Sequence, residues 1–137
     1  MRLYLIKRAS DGKFFGGING HYMLIRKVSR ETATYWSDKP QMLLKTPDGV
    51  AANLRRLCSE PYWDMTPPAG LCASIKSNWR ELAWKDFDAA KLDQFEIVVM
   101  DVDVISMTAT PAREFIQPEA IANTPLSKAD RREDATA

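Results

Sequence analysis

The spacing in this chain most suggestive of chemistry is Gly16-Gly17-x-x-Gly20, followed at once by His21, its single histidine. Glycines at such intervals let backbone N–H groups approach a phosphate, and a histidine beside them is a general base that titrates near neutrality. No Gly-Lys-Ser/Thr follows, however, and residues 21–28 read as a strand, whereas a phosphate loop feeds a helix. A plain hairpin loop is the favoured reading. As a base, His21 needs a nucleophile, and the only thiols are Cys58 and Cys72. Neither has a recognisable catalytic flank, so a surface histidine is favoured. Asp101 and Asp103 place two carboxylates on one face of a strand, a start for cation binding or for divided acid and base roles. No third oxygen ligand stands near them in sequence, and an exposed strand end is the better reading.

A broader constellation is basic. Lys7, Arg8, Lys13, Arg26, Lys27, Arg30, Arg55 and Arg56 are interleaved with Tyr4, Phe14, Phe15, Tyr22, Tyr35 and Trp36. On a sheet, cations that neutralise phosphates and rings that stack on bases bind nucleotides or single-stranded nucleic acid. The same composition describes a sheet whose aromatics face inward and whose cations face water. Tyr62 and Trp63 sit in a proline-rich stretch, either as interface anchors or as rings folded back onto the core. Candidate binding residues are therefore Lys7, Arg8, Lys13, Arg26, Lys27, Arg30, Trp36, Arg55, Arg56, Tyr62 and Trp63. No catalytic residue, metal ligand or cofactor is assigned.

Charge is unevenly distributed. Residues 1–56 carry eleven Lys/Arg against four Asp/Glu, and residues 57–137 carry eight against fourteen. Either the basic half meets an anionic partner, or the two halves lie against each other, or dimerise, and neutralise.

The elements that must position these groups follow from local pattern. LYLI (3–6) and Lys13-Phe14-Phe15 flank Ser10-Asp11-Gly12, where Asp11 can accept from the backbone two residues on and Gly12 can take φ > 0. The spacing predicts a β-hairpin. Strands are predicted at 21–28 and 32–36, with a short strand or extended link at 41–44. Thr46 as cap, Pro47 at the first helical position and Val50, Leu54 and Leu57 on one face predict a helix over 47–58. Residues 59–78 hold three prolines and a glycine and read as an irregular excursion. A short helix follows at 79–87, then a turn at 88–94. FEIVVMDVDVISMTAT (95–110) reads as one strand, PAREFIQ (111–117) as a short helix, and 118–137 as a polar, disordered tail.

Length and composition suit one domain with a real core: 137 residues, 45% hydrophobic and 27% charged. No apolar run reaches transmembrane length, and Lys7 and Arg8 interrupt the opening stretch, so neither a membrane span nor a signal peptide is expected. A cytoplasmic location with two partly buried thiols is the default expectation. The predicted fold is α+β: a mainly antiparallel sheet of four to six strands with one principal helix packed across it, in a single domain over 1–117.

Four short segments, Tyr4-Leu5-Ile6-Lys7, Gly12-Lys13-Phe14-Phe15, Trp36-Ser37-Asp38 and Phe95-Glu96-Ile97-Val98, occur in an order that resembles small phage-encoded accessory proteins of unassigned function. The resemblance covers 1–58 and 95–104 and carries no catalytic residues. It implies the cytosol of an infected bacterium and a non-enzymatic protein that blocks a host protein or defence complex, as an anti-CRISPR-like inhibitor does. The residues themselves offer the alternative of a nucleotide or single-stranded nucleic-acid binder. A homodimer is expected if a sheet edge is left open.

Overall fold

The structure, a computed structural model, describes residues 1–126. It begins with the hairpin that the turn chemistry dictates. β1 (Arg2–Arg8) and β2 (Phe14–Ile18) run antiparallel. Between them Asp11 Oδ1 accepts from the Lys13 N–H at 3.2 Å, and Gly12 takes φ +71°. α1 (Gly20–Arg26) and α2 (Arg30–Ala33) lead into β3 (Thr34–Ser37), which pairs with β2. α3 (Pro47–Leu57) follows, then β4 (Glu60–Asp64), α4 (Ala73–Asn78) and β5 (Glu81–Lys85), with β4 and β5 forming a separate hairpin. A 3-10 helix (Ala89–Gln94) feeds β6 (Phe95–Asp101), which turns into β7 (Ser106–Pro111), α5 (Ala112–Phe115) and α6 (Pro118–Ala122). The main sheet has the order β3-β2-β1-β6-β7, antiparallel throughout. The fold is α+β with a five-stranded antiparallel sheet, as expected.

Pairing of β1 with β6 sets two basic positions of the first half opposite two acidic positions of the second. Arg2 stands opposite Asp101 and Lys7 opposite Glu96. Opposite charges facing each other across an antiparallel pair contribute roughly 0.2–1 kcal/mol each. The basic half of the chain and the acidic half are thus neighbours in one sheet.

The core forms where α3 meets this sheet. Thr46 Oγ1 accepts from the Gly49 N–H at 3.1 Å and Pro47 occupies the first turn, so the helix starts where the sequence says it must. Its predicted face, Val50, Leu54 and Leu57, is buried against Tyr4, Ile6, Phe15, Phe95 and Ile97. α3 does not cover the sheet alone. Leu92 of the 3-10 helix, Ala112 of α5 and Ile121 of α6 complete the same cluster.

Five expectations are corrected. Residues 21–28 are not a strand: α1 occupies most of that segment, with Asn19 Oδ1 accepting from the Tyr22 N–H at 3.0 Å. The excursion at 59–78 contains β4 and α4, and the helix expected at 79–87 is β5, paired residue by residue with β4. The single strand expected over 95–110 is a hairpin, with Met100 opposite Met107. The domain does not close at 117, because Ile121 is fully buried and Arg55 Nη1 donates to the Thr124 carbonyl. The remainder of the expected tail, 127–137, lies outside the described residues. Among the described residues, no helix is long and apolar enough to cross a membrane.

Candidate functional site

The turn that shapes the first hairpin also aims an arginine. Arg8 ends β1, and its Nε and Nη2 donate to Asp11 Oδ1 and Oδ2 at 3.0 and 2.5 Å. A two-pronged pair of this kind fixes the plane of the guanidinium. That plane lies over the Trp36 ring, 4.6 Å from its centroid. Trp36 in turn stacks almost parallel on Phe95, at 5.9 Å and 7°, and meets Phe15 edge-on at 5.7 Å. Asp11, Arg8, Trp36 and Phe95 therefore form one ordered stack built from β1, β3 and β6.

The hydrogen bond from Arg8 holds the Asp11 carboxyl down at about 2. The same bond is the chief reason that Arg8 holds its proton more tightly than usual, against the opposing effect of burial. Because Asp11's pKa is below its unfolded value of about 4, the stabilisation is fully present above that pH. It is lost as the pH falls through about 2. In a carbon-detected NMR titration Asp11 is expected to show its midpoint near that value; a midpoint in the ordinary carboxylate range would show that the clamp on Arg8 does not form.

A second arginine faces the same space. Arg30 opens α2 next to its cap Ser29, whose Oγ accepts from the Thr32 N–H at 3.3 Å. Arg30 Nη2 lies 3.0 Å from Glu60 Oε1, and Lys91 Nζ approaches the same oxygen at 3.8 Å. The first of these is an ion pair by distance but not an aligned hydrogen bond. Arg30 Nε and Nη2 are both buried without an aligned acceptor among the described residues. A buried donor left unsatisfied costs about 1–3 kcal/mol, so Nε calls for an explanation. Arg8, Arg30 and Lys91 line a cavity of about 240 Å³ together with Thr34, Trp36, Gln94 and Phe95, with Glu31 on the same wall.

No protein-family model matches this sequence, and no match was found among curated proteins or solved structures. The pocket is accordingly read from its own chemistry.

Of the candidate residues, the pocket gathers Arg8, Arg30 and Trp36. The others do not converge on it. Lys7 is opposite Glu96 in the sheet, Lys13 follows the first turn, and Arg26 and Lys27 close α1, with Lys27 in the left-handed region at φ 53°. Arg55 is bonded to the Thr124 carbonyl, and Arg56 is half-buried, its pKa lowered first by burial and then by the charge of Arg55. Tyr62 and Trp63 lie on β4, away from the aromatic stack. The Lys85 ammonium stands 5.4 Å from the Tyr62 ring, and Trp63 lies between the Arg80 guanidinium at 4.6 Å and the His21 ring at 5.3 Å. A continuous basic and aromatic platform along the N-terminal sheet is not what these residues build, since Tyr4 and Phe15 are core.

The remaining motifs resolve into structure. A Cβ at Gly16 would sit 2.3 Å from Tyr35 Cδ1 and one at Gly20 2.9 Å from Leu82 Cδ2, so both glycines admit a packed neighbour. His21 and the thiols do not form a catalytic pair: the charges that reach Cys58 are Arg30, Lys91 and Asp88, while burial pushes its thiol up to about 12. Cys72, expected to be partly buried, is exposed, its pKa lowered chiefly by a hydrogen bond with Ser74, and both cysteines are free. Asp101 and Asp103 do not share a strand face. Asp101 ends β6 and its Oδ1 accepts from the Asp103 N–H at 3.1 Å, while Asp103 pairs with the Met1 ammonium.

Sequence reasoning missed Lys91, Gln94, Thr34 and Phe95. Lys91 and Gln94 sit in a segment read as a turn, which forms the 3-10 helix, and only the fold brings them to the pocket that Arg30, Thr34 and Trp36 also line.

Proposed function

We propose that this protein is a non-enzymatic binding protein whose pocket takes the phosphate group of a small nucleotide-class ligand. One observation carries the reading: Arg30, whose buried Nε has no acceptor among the described residues and whose Nη2 is held only by an unaligned ion pair to Glu60, stands on the wall of a cavity that also holds Arg8 and Lys91. A guanidinium offers a planar fork that matches phosphate oxygens two at a time, and a lysine adds a compact point charge. The Trp36 and Phe95 wall gives the remainder of the ligand an apolar surface. At about 240 Å³ the cavity suits a phosphate head better than a whole nucleotide. Calorimetric titration of the full chain with inorganic phosphate, a nucleoside monophosphate and acetate tests it. Saturable, salt-sensitive binding of both phosphate probes, tighter for the nucleotide, is expected. No heat down to a Kd of about 1 mM for any of them would contradict the reading.

A second reading, a phage-type protein that blocks a host protein such as a bacterial defence complex, draws on the β4–β5 hairpin. Trp63 under Arg80, with Tyr62 beside Lys85, is the chemistry that anchors protein interfaces. On this reading Trp63→Ala abolishes capture of a host protein from bacterial lysate and leaves phosphate titration unchanged. Equal capture by both chains would remove it.

A further inference from the structure

The main sheet ends in an edge unlike its other one. β3 is four residues long and follows directly on α2, whereas β7 spans Ser106–Pro111 and is exposed along nearly its whole length on both faces. Its sequence, SMTATP, has no charged side chain, and its proline is confined to the last position. Natural edges are usually blunted by charge, a bulge or a cover, because a bare strand offers unpaired N–H and C=O groups to another strand. An apolar face runs into the same edge. The register places Leu3, Met100 and Met107 in one row and Leu5, Val98 and Ala109 in the next. Towards the turn the row ends at Val102, Val104, Ile105 and Met107, which are exposed, Ile105 to 93%. Ile105 also sits at φ 51°, where a β-branched residue is strained by about 1–3 kcal/mol.

We infer that this edge pairs with a second copy of the chain, β7 against β7 in antiparallel register about Thr108, to make a continuous ten-stranded sheet. Two features favour a second copy over other occupants. The chain beyond the described residues, SKADRREDATA, carries no large apolar side chain with which to cover the patch. Antiparallel pairing also sets the acidic turn of each copy, with Asp101 and Asp103, at the end of the strand where the other copy carries Arg113, which is part-exposed and in its own chain pairs with Asp93. A two-fold interface repeats that complementary contact. Met107 of each copy then stands opposite Ala109 of the other, and each apolar turn lies beside the far end of the other copy's β7.

Light scattering on the eluting full chain measures the mass directly. A dimer is expected at concentrations that would fill a site with a Kd of about 1 μM. Thr108→Lys places two ammonium groups opposite each other at the axis and is expected to give a monomer that still unfolds cooperatively, with a melting temperature that no longer rises with protein concentration. Thr108→Glu does the same, and mixing the two variants restores a dimer of one Lys chain and one Glu chain. That rescue excludes misfolding as the cause of dissociation. A monomeric natural chain, or a Thr108→Lys chain that stays dimeric, would overturn the inference. So would a monomer whose apolar turn instead binds lipid vesicles.

Discussion

Replacing Arg30 by alanine is expected to weaken phosphate binding by about tenfold to a hundredfold, the loss that follows from removing a charge-assisted hydrogen bond of about 1.5–3 kcal/mol. Its effect on stability should be far smaller. The side chain carries two buried donors without aligned acceptors, so its removal relieves a cost as well as losing the ion pair with Glu60. The comparison that matters is with Arg30→Lys. Lysine keeps the charge but cannot present two parallel N–H groups, so binding should fall between the other two chains. If alanine and lysine weaken binding equally, the fork is what the ligand uses. If lysine binds as well as arginine, only the local potential matters, and the site is a generic cationic hollow. Calorimetry on the three chains, with urea unfolding as the control, separates these outcomes.

Ile121→Ala is expected to cost about 2–5 kcal/mol, the range for deleting buried methyl and methylene groups from a packed core. Ile121 is fully buried and belongs to the same cluster as Leu54, Phe95 and Ile97. Residues beyond 117 look like a solvated tail in the sequence, and a substitution in such a tail changes stability by no more than about 0.5 kcal/mol. Urea unfolding monitored by tryptophan fluorescence distinguishes the two cases by a wide margin. A loss near the upper figure would also show that α6, only five residues long, is held by its one buried side chain and by the bond from Arg55 to Thr124.

What the sequence made legible was local. The Asp11–Gly12 turn and the Thr46–Pro47 helix start specify themselves through neighbouring residues, and both form as read. The misread segments depend on distant partners. The segment over 20–26 is rich in strand formers, but Gly20 lets the backbone close against Leu82 and Trp84, and the helix is stabilised there by tertiary contact. Over 79–87, Trp79, Leu82 and Phe87 suit one face of a helix, yet pairing with β4 buries Ala83 and Trp84 in a strand. The turn between β6 and β7 carries no glycine, asparagine or proline and puts Ile105 in the left-handed region; its one local signal is Asp101, whose Oδ1 accepts from the Asp103 N–H, and the valines around it masked that signal as continued strand. The pocket was half legible for the same reason. Arg8 and Trp36 belong to the N-terminal pattern, but Lys91 and Phe95 reach them only through the fold.

The most direct test of the account is to follow the Arg30 Nε–H resonance of the full chain by NMR as inorganic phosphate is added at low salt. The account predicts a saturable shift of that resonance, accompanied by the Trp36 indole and by Lys91, and reversed by salt. A response spread evenly over Arg26, Lys27, Arg55 and Arg56, with Arg30 unmoved, would contradict it.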